Sequence, residues 1–146
     1  MFRPPPPTPN KQRPTRYWST QFKASVDSIS KQDLKLQEAI YEISCGEEDL
    51  AEDIQLVQKT YADSLLSLKI LTPSEVQLVF GKLKTLLPMH VELYRALRNH
   101  RCPNTGVSQK IGKTMLTWVN TLRDPYIDYC AQLIKVIGNG SEILSF

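Results

Sequence analysis

No apolar run in the sequence approaches the roughly 18 residues needed to cross a membrane. The Pro-rich, Arg-containing start also lacks the apolar core of a signal peptide. No transmembrane segment is expected, and a cytoplasmic location follows. Cysteine is scarce: Cys45, Cys102 and Cys130 are odd in number and carry no metal-binding spacing, which argues for ordinary thiols over a disulfide framework. The two histidines, His90 and His100, have no companion nucleophile. There is no GxSxG, P-loop, GxGxxG or HExxH motif, so hydrolysis and transfer chemistry find no support and no cofactor is expected. Strand-like alternation is missing too. What remains is an all-α class, with long helices packed at shallow angles into an elongated antiparallel bundle.

The composition is that of one modest soluble domain, 146 residues with 41% hydrophobic and 23% charged. A net charge of +3 conceals an asymmetry. Met1 to Lys31 holds six basic residues against one acid, whereas Gln32 to Phe146 holds twelve against fourteen. The body is therefore slightly acidic, and nucleic-acid binding is not expected.

One stretch organises the rest, Leu34 to Tyr61. Leu36, Ile40, Ile43, Leu50, Ile54, Val57 and Tyr61 recur at steps of three and four, interrupted by Glu47, so one apolar stripe is predicted to face a partner helix. Glu38, Glu42, Asp49 and Asp53 fall in a second stripe, about 120° around the axis. From Glu42 to Asp53 no acid has a Lys or Arg three or four residues away. These carboxylates repel one another, by roughly 0.2–0.5 kcal/mol per like-charged pair. Charge pattern alone favours a solvated face, with a basic partner as the alternative. A hard cation is a poorer fit, because a four-helix carboxylate site also needs Glu-x-x-His pairs, which are missing. No metal site is predicted.

Upstream, residues 1–16 carry six of the ten prolines and no apolar periodicity, which predicts a disordered, basic arm. Arg3, Pro6 and Pro9 fit the polyproline pattern that an SH3 domain would read. Lys11, Arg13 and Arg16 form a weak basic patch, with nuclear import as one reading and a solvated tail as the simpler one. Trp18, Phe22 and Val26, at four-residue spacing, predict a short brace over residues 17–33. Downstream, Ala62 to Leu71 reads as an apolar connector, and Thr72-Pro73-Ser74-Glu75 opens a second long helix, kinked at Pro88 and ending near His100. Arg101 to Gly106 is a turn by composition. Ile111, Met115, Trp118, Val119 and Leu122 mark a third helix that stops near Asp124-Pro125. Tyr126, Tyr129, Leu133, Ile134 and Ile137 mark a fourth, ended by Gly138-Asn139-Gly140.

The run from Gln37 to Leu83, followed by LLPMHVELYRALR and MLTWVNTLRDPYIDYC, resembles the first two thirds of a Dbl-homology domain. That domain is the helical exchange module of Rho-family guanine-nucleotide exchange factors. The likeness is to the neuroepithelial-transforming-protein subgroup, and it would assign residues 34–137 to a partial domain and 138–146 to a tail unlike the family. The resemblance implies a Rho-family GTPase as partner and exchange without covalent chemistry. It also implies a switch-I contact by the Glu of the family's first block, which matches Glu42 in AIYEI; Glu38, Asp49 and Asp53 would support it. The family's third block, which engages switch II, and its pleckstrin-homology domain find no match before Phe146. Weak or absent exchange by this chain is the expectation, with a noncatalytic helical module that binds a GTPase or a paralogous exchange factor as the alternative.

Overall fold

The computed structural model describes residues 13–143, with side chains as far as Gly138. In chain order its elements are α1 (Trp18–Gln21), α2 (Lys23–Val26), α3 (Lys31–Val57), a π-helical turn (Gln58–Ala62), α4 (Asp63–Ser67), α5 (Pro73–Asn99) and α6 (Gly112–Ile143). An isolated bridge between Arg101 and Ser108 is the β geometry found among the described residues. The class is all-α. Among the described residues no helix is long and apolar enough to cross a membrane. The Arg3, Pro6 and Pro9 pattern, Lys11 and the last three residues lie outside this range.

Helix starts follow their local chemistry. Ser30 Oγ accepts the Asp33 N–H at 3.0 Å and opens α3. At α5 the Thr72 hydroxyl oxygen accepts the Glu75 N–H, and the Glu75 carboxylate takes the Thr72 N–H in return at 2.7 Å. Pro73 occupies the first helical position, where its missing N–H costs nothing.

Helix stops depart from expectation. The connector predicted for Ala62 to Leu71 is helical as far as Ser67, because the π-helical turn carries α3 straight into α4. The predicted stop at Asp124-Pro125 and the predicted end at Gly138-Asn139-Gly140 are both overrun by α6. Pro125 and Pro88 each remove one internal hydrogen bond, at roughly 3 kcal/mol. Tertiary packing outweighs that cost, since Leu86, Leu93, Leu97 and Leu122 beside them are buried.

α5 lies between α3 and α6 and packs against both. Pairs along α3 and α5 run in opposite directions, from Ser44 with Arg101 to Glu48 with Arg98. So do those along α5 and α6, from His100 with Thr114 to Lys82 with Asp128 and Leu78 with Gln132. The three long helices are therefore antiparallel. At 1.5 Å per residue α6 is about 48 Å long, so the bundle is elongated.

The face that α3 buries is not the predicted one. Ile40 and Ile54 are in the core, but Leu36, Ile43 and Leu50 are 54%, 40% and 37% exposed, and Tyr61 is exposed as well. The buried set is Gln37, Ile40, Tyr41, Ser44, Ala51 and Ile54, centred about 90° around the helix from Leu36, Ile43 and Leu50. Polar partners cause this rotation. The Gln37 side chain donates to the Ser108 carbonyl at 3.0 Å and accepts the Ser108 N–H at 2.7 Å, which pins the 101–108 loop onto α3. Gly106 in that loop has φ +73°, and a Cβ there would strike the Phe22 ring.

Candidate functional site

The acidic stripe of α3 is where the sequence places function, and the structure sorts its members into two groups. Glu38 is occupied. Its carboxylate accepts the Trp18 N–H at 2.7 Å and the Ser19 N–H at 3.0 Å, so it caps α1 from outside. Burial alone would raise this carboxyl, but hydrogen bonds from the Ser19 hydroxyl and the two backbone N–H groups outweigh it and hold it below its usual range. Trp18 is 1% exposed, with its indole N–H on the Gly106 carbonyl at 2.8 Å. The brace is thereby anchored at its Trp18 end, through both backbone and indole.

Asp49 and Asp53 are also occupied, by the chain's own arm. Arg13 reaches Asp53 at 2.7 Å, Asp49 at 3.1 Å and Glu52 at 3.5 Å. Arg16 reaches Asp49 at 2.5 Å and Glu48 at 3.1 Å, and donates to the Cys45 carbonyl at 3.1 Å. The unpaired charge read from α3 alone is thus met by residues about 35 positions upstream. Both arginines lie along α3, with side chains 40% and 36% exposed. Local spacing could not reveal the pairing, but the opposite charges of the two segments, +5 and −2, were its visible trace.

Glu42 differs. It is exposed, and among the described residues it has no hydrogen-bond or ion-pair partner. Leu36, Ile43 and Leu50 are exposed on the same helix. One free carboxylate together with apolar side chains on one rigid helix is the composition of a protein-contact surface, with an apolar patch to bury and a charge to fix orientation.

A second constellation was not predicted as a unit. Glu47, the residue that interrupts the apolar stripe, has its carboxylate 2.6 Å from His90 Nδ1, and His90 Nε2 is 2.7 Å from the Tyr126 hydroxyl. The three residues come from α3, α5 and α6. A carboxylate offers only lone pairs, so Nδ1 carries the hydrogen in the first bond. Burial pushes the Tyr126 hydroxyl up, with the Glu47 charge adding to it. The atoms match a proton relay, but His90 is 2% exposed and packs edge-on to Trp118 and Tyr126. The array bolts three helices in register. Its signal in the sequence was a carboxylate at a core position of α3, which demands a buried partner.

With this geometry in place, comparison with known proteins adds the family. The RhoGEF domain matches residues 39–138, from α3 through most of α6, a span that includes Glu42, Asp49 and Asp53 but not Glu38. Rho guanine nucleotide exchange factor 3 of Homo sapiens is 38% identical over 129 residues, 88% of this chain and 24% of that protein. Neuroepithelial cell-transforming gene 1 protein of Homo sapiens is 35% identical over 126 residues, 86% of this chain and 21% of that protein. Intersectin-1 of Xenopus laevis is 29% identical over 119 residues, 81% of this chain and 7% of that protein. The chain spans about a quarter of the length of the first two relatives. A match over this much of the sequence, on an all-α bundle whose first long helix carries the acidic stripe, means that the chain belongs to the RhoGEF domain family.

Proposed function

We propose that this chain is a Rho-family guanine-nucleotide exchange factor that binds a small GTPase through the exposed face of α3 and promotes GDP release. The observation that carries the reading is the isolation of Glu42. Glu38, Asp49 and Asp53 are each held by the chain itself, which leaves Glu42 as the member of the stripe with a charge to offer. It sits where the family's first block has its switch-I glutamate, and exposed Leu36, Ile43 and Leu50 accompany it. Exchange of this kind makes and breaks no covalent bond. The exchange factor binds the nucleotide-free GTPase more tightly than the loaded one, and by linkage it weakens nucleotide binding by the same factor. Stopped-flow release of a fluorescent GDP analogue from a Rho GTPase tests this: acceleration that grows with chain concentration is expected, and no acceleration at high concentration rejects exchange by this polypeptide.

A noncatalytic helical interaction module is the second reading. It is favoured by the exposed apolar stripe on α6, where Leu116, Val119, Ile127, Ile134 and Ile137 recur at helical spacing. Such a module would hold a GTPase or a paralogous exchange factor without discriminating nucleotide states. Pull-down against nucleotide-free and loaded GTPase separates the two readings, because equal affinity for both states shifts nothing.

A further inference from the structure

Outside the Glu42 face, the brace, α3 and the end of α5 enclose a polar pocket of about 210 Å³ whose lining includes Arg16, Arg98 and Arg101. Glu48 is the carboxylate in that lining and is shared by two of the three cations, with Arg16 at 3.1 Å and Arg98 at 3.3 Å. Even when Asp49, the other partner of Arg16, is counted, the cations exceed the acids. Arg101 is the unmatched one. No carboxylate among the described residues pairs with it.

The surroundings of Arg101 specify the shape of what it lacks. Its guanidinium carbon lies 4.9 Å from the Tyr41 ring centre and 5.7 Å from that of Phe22, so one side of it is packed against aromatic side chains. Its hydrogen-bonding capacity lies in the plane, at the edges. There the described residues offer Ser44 Oγ at 3.5 Å, the limit of a hydrogen bond, and Nε is buried without a partner. A planar fork of donors packed against aromatic rings on one side, with its edge underused, is suited to an oxyanion. Arg98, with 58% of its side chain exposed, stands at the open side.

We propose that this pocket binds a phosphate-sized oxyanion, such as inorganic phosphate or the phosphoryl group of a small phosphomonoester. Arg101 holds it through the guanidinium edge, Arg98 closes over it and Arg16 supplies long-range attraction. The bound anion links the brace, α3 and the end of α5, so occupancy stabilises the docked brace. The site is independent of GTPase binding.

Titration calorimetry of the 146-residue chain with inorganic phosphate, at constant ionic strength set with chloride, tests the proposal. Saturable binding is expected, with a parallel rise in melting temperature that chloride alone does not give. Arg98→Ala should weaken binding about fivefold and Arg101→Lys, which keeps the charge but loses the fork, about tenfold. Glu48→Gln removes the competing carboxylate and should tighten binding. That gain cannot come from damage to the fold, so the test survives even if Arg101→Lys fails to fold. Phosphoserine should bind as phosphate does. Absence of saturable binding, equal binding of acetate, or an unchanged affinity in both Arg98→Ala and Glu48→Gln would overturn the proposal.

Discussion

Glu42 and Glu38 lie one helical turn apart, and in sequence they look equivalent. The difference between them is made by Trp18 and Ser19, whose backbone N–H groups claim Glu38. No helical-wheel argument contains that information, because it depends on where a segment 20 residues upstream comes to rest. The consequence is measurable through pH. The Glu38 carboxyl is held below its usual value in the folded chain, so its contribution is fully present above the unfolded value of about 4.3 and is lost as pH falls through the folded value. Protection of the Trp18 and Ser19 backbone N–H groups against exchange, taken relative to the unfolded chain at the same pH and followed by NMR, should therefore fall on acidification below about pH 4. In Glu38→Gln that protection should be low throughout and lose its acid dependence. Protection with the same acid dependence in both chains would contradict the assignment.

Glu47 makes the residue scale legible in a different way. A carboxylate in the middle of an apolar stripe reads as a flaw, and it is the visible end of the Glu47, His90 and Tyr126 array. The histidine and tyrosine were legible only as members of helical patterns. Their partnership required knowing that α3, α5 and α6 pass each other at that level. Tyr126→Phe deletes one hydrogen bond and should cost roughly 0.5–1.5 kcal/mol. His90→Ala strands both partners and opens a cavity, and it should cost more, about 3 kcal/mol. Urea unfolding at neutral pH checks the order: a Tyr126→Phe variant as unstable as His90→Ala would rule out the separate roles.

At the scale of elements, the sequence reveals starts better than stops. Thr72 and Glu75 are local chemistry, satisfied within one turn, so α5 begins where the sequence predicts; α3 begins at Lys31, three residues before the Leu34 expected, because Ser30 caps it there. Pro125 is a local signal overridden by the packing of α6 along α5, and periodicity cannot weigh a lost hydrogen bond against a buried neighbour; α6 also runs on past Gly138. The arm belongs to this scale too. Arg13 and Arg16 hold a non-helical segment along α3 by ion pairs whose arginine side chains are 40% and 36% exposed. Pairs so exposed contribute little, so Arg13→Glu with Arg16→Glu should lower global stability by only about 1 kcal/mol. Backbone order parameters from Thr15 to Tyr17, measured by NMR relaxation, should nevertheless fall sharply, and 1 M salt should reproduce part of the effect in the parent chain. Unchanged order parameters there would show that Trp18 alone anchors the segment.

For the whole molecule, the all-α class and the antiparallel order were readable from helix periods and capping, and the family was readable from the run between Gln37 and Cys130. What periodicity misjudged is how much apolar surface three helices can cover. The stripe predicted to face a partner on α3 is half exposed, and on α6 Ile134 and Ile137 are both 71% exposed. Apolar surface on this scale promotes association. Sedimentation at micromolar concentration should show self-association that Ile127→Lys with Ile134→Lys reduces. A strictly monomeric parent chain would show that this face is not sticky.

The most direct test of the account is the affinity of the chain for a nucleotide-free Rho GTPase against the GDP-loaded form, measured in parallel for the parent and for Glu42→Ala. Glu42 is exposed, so its truncation should leave stability within about 0.5 kcal/mol of the parent. Tighter binding of the nucleotide-free form by the parent is expected, with that preference lost in Glu42→Ala. Equal binding to both forms, or a preference that survives the substitution, would contradict the claim that α3 meets the GTPase through Glu42.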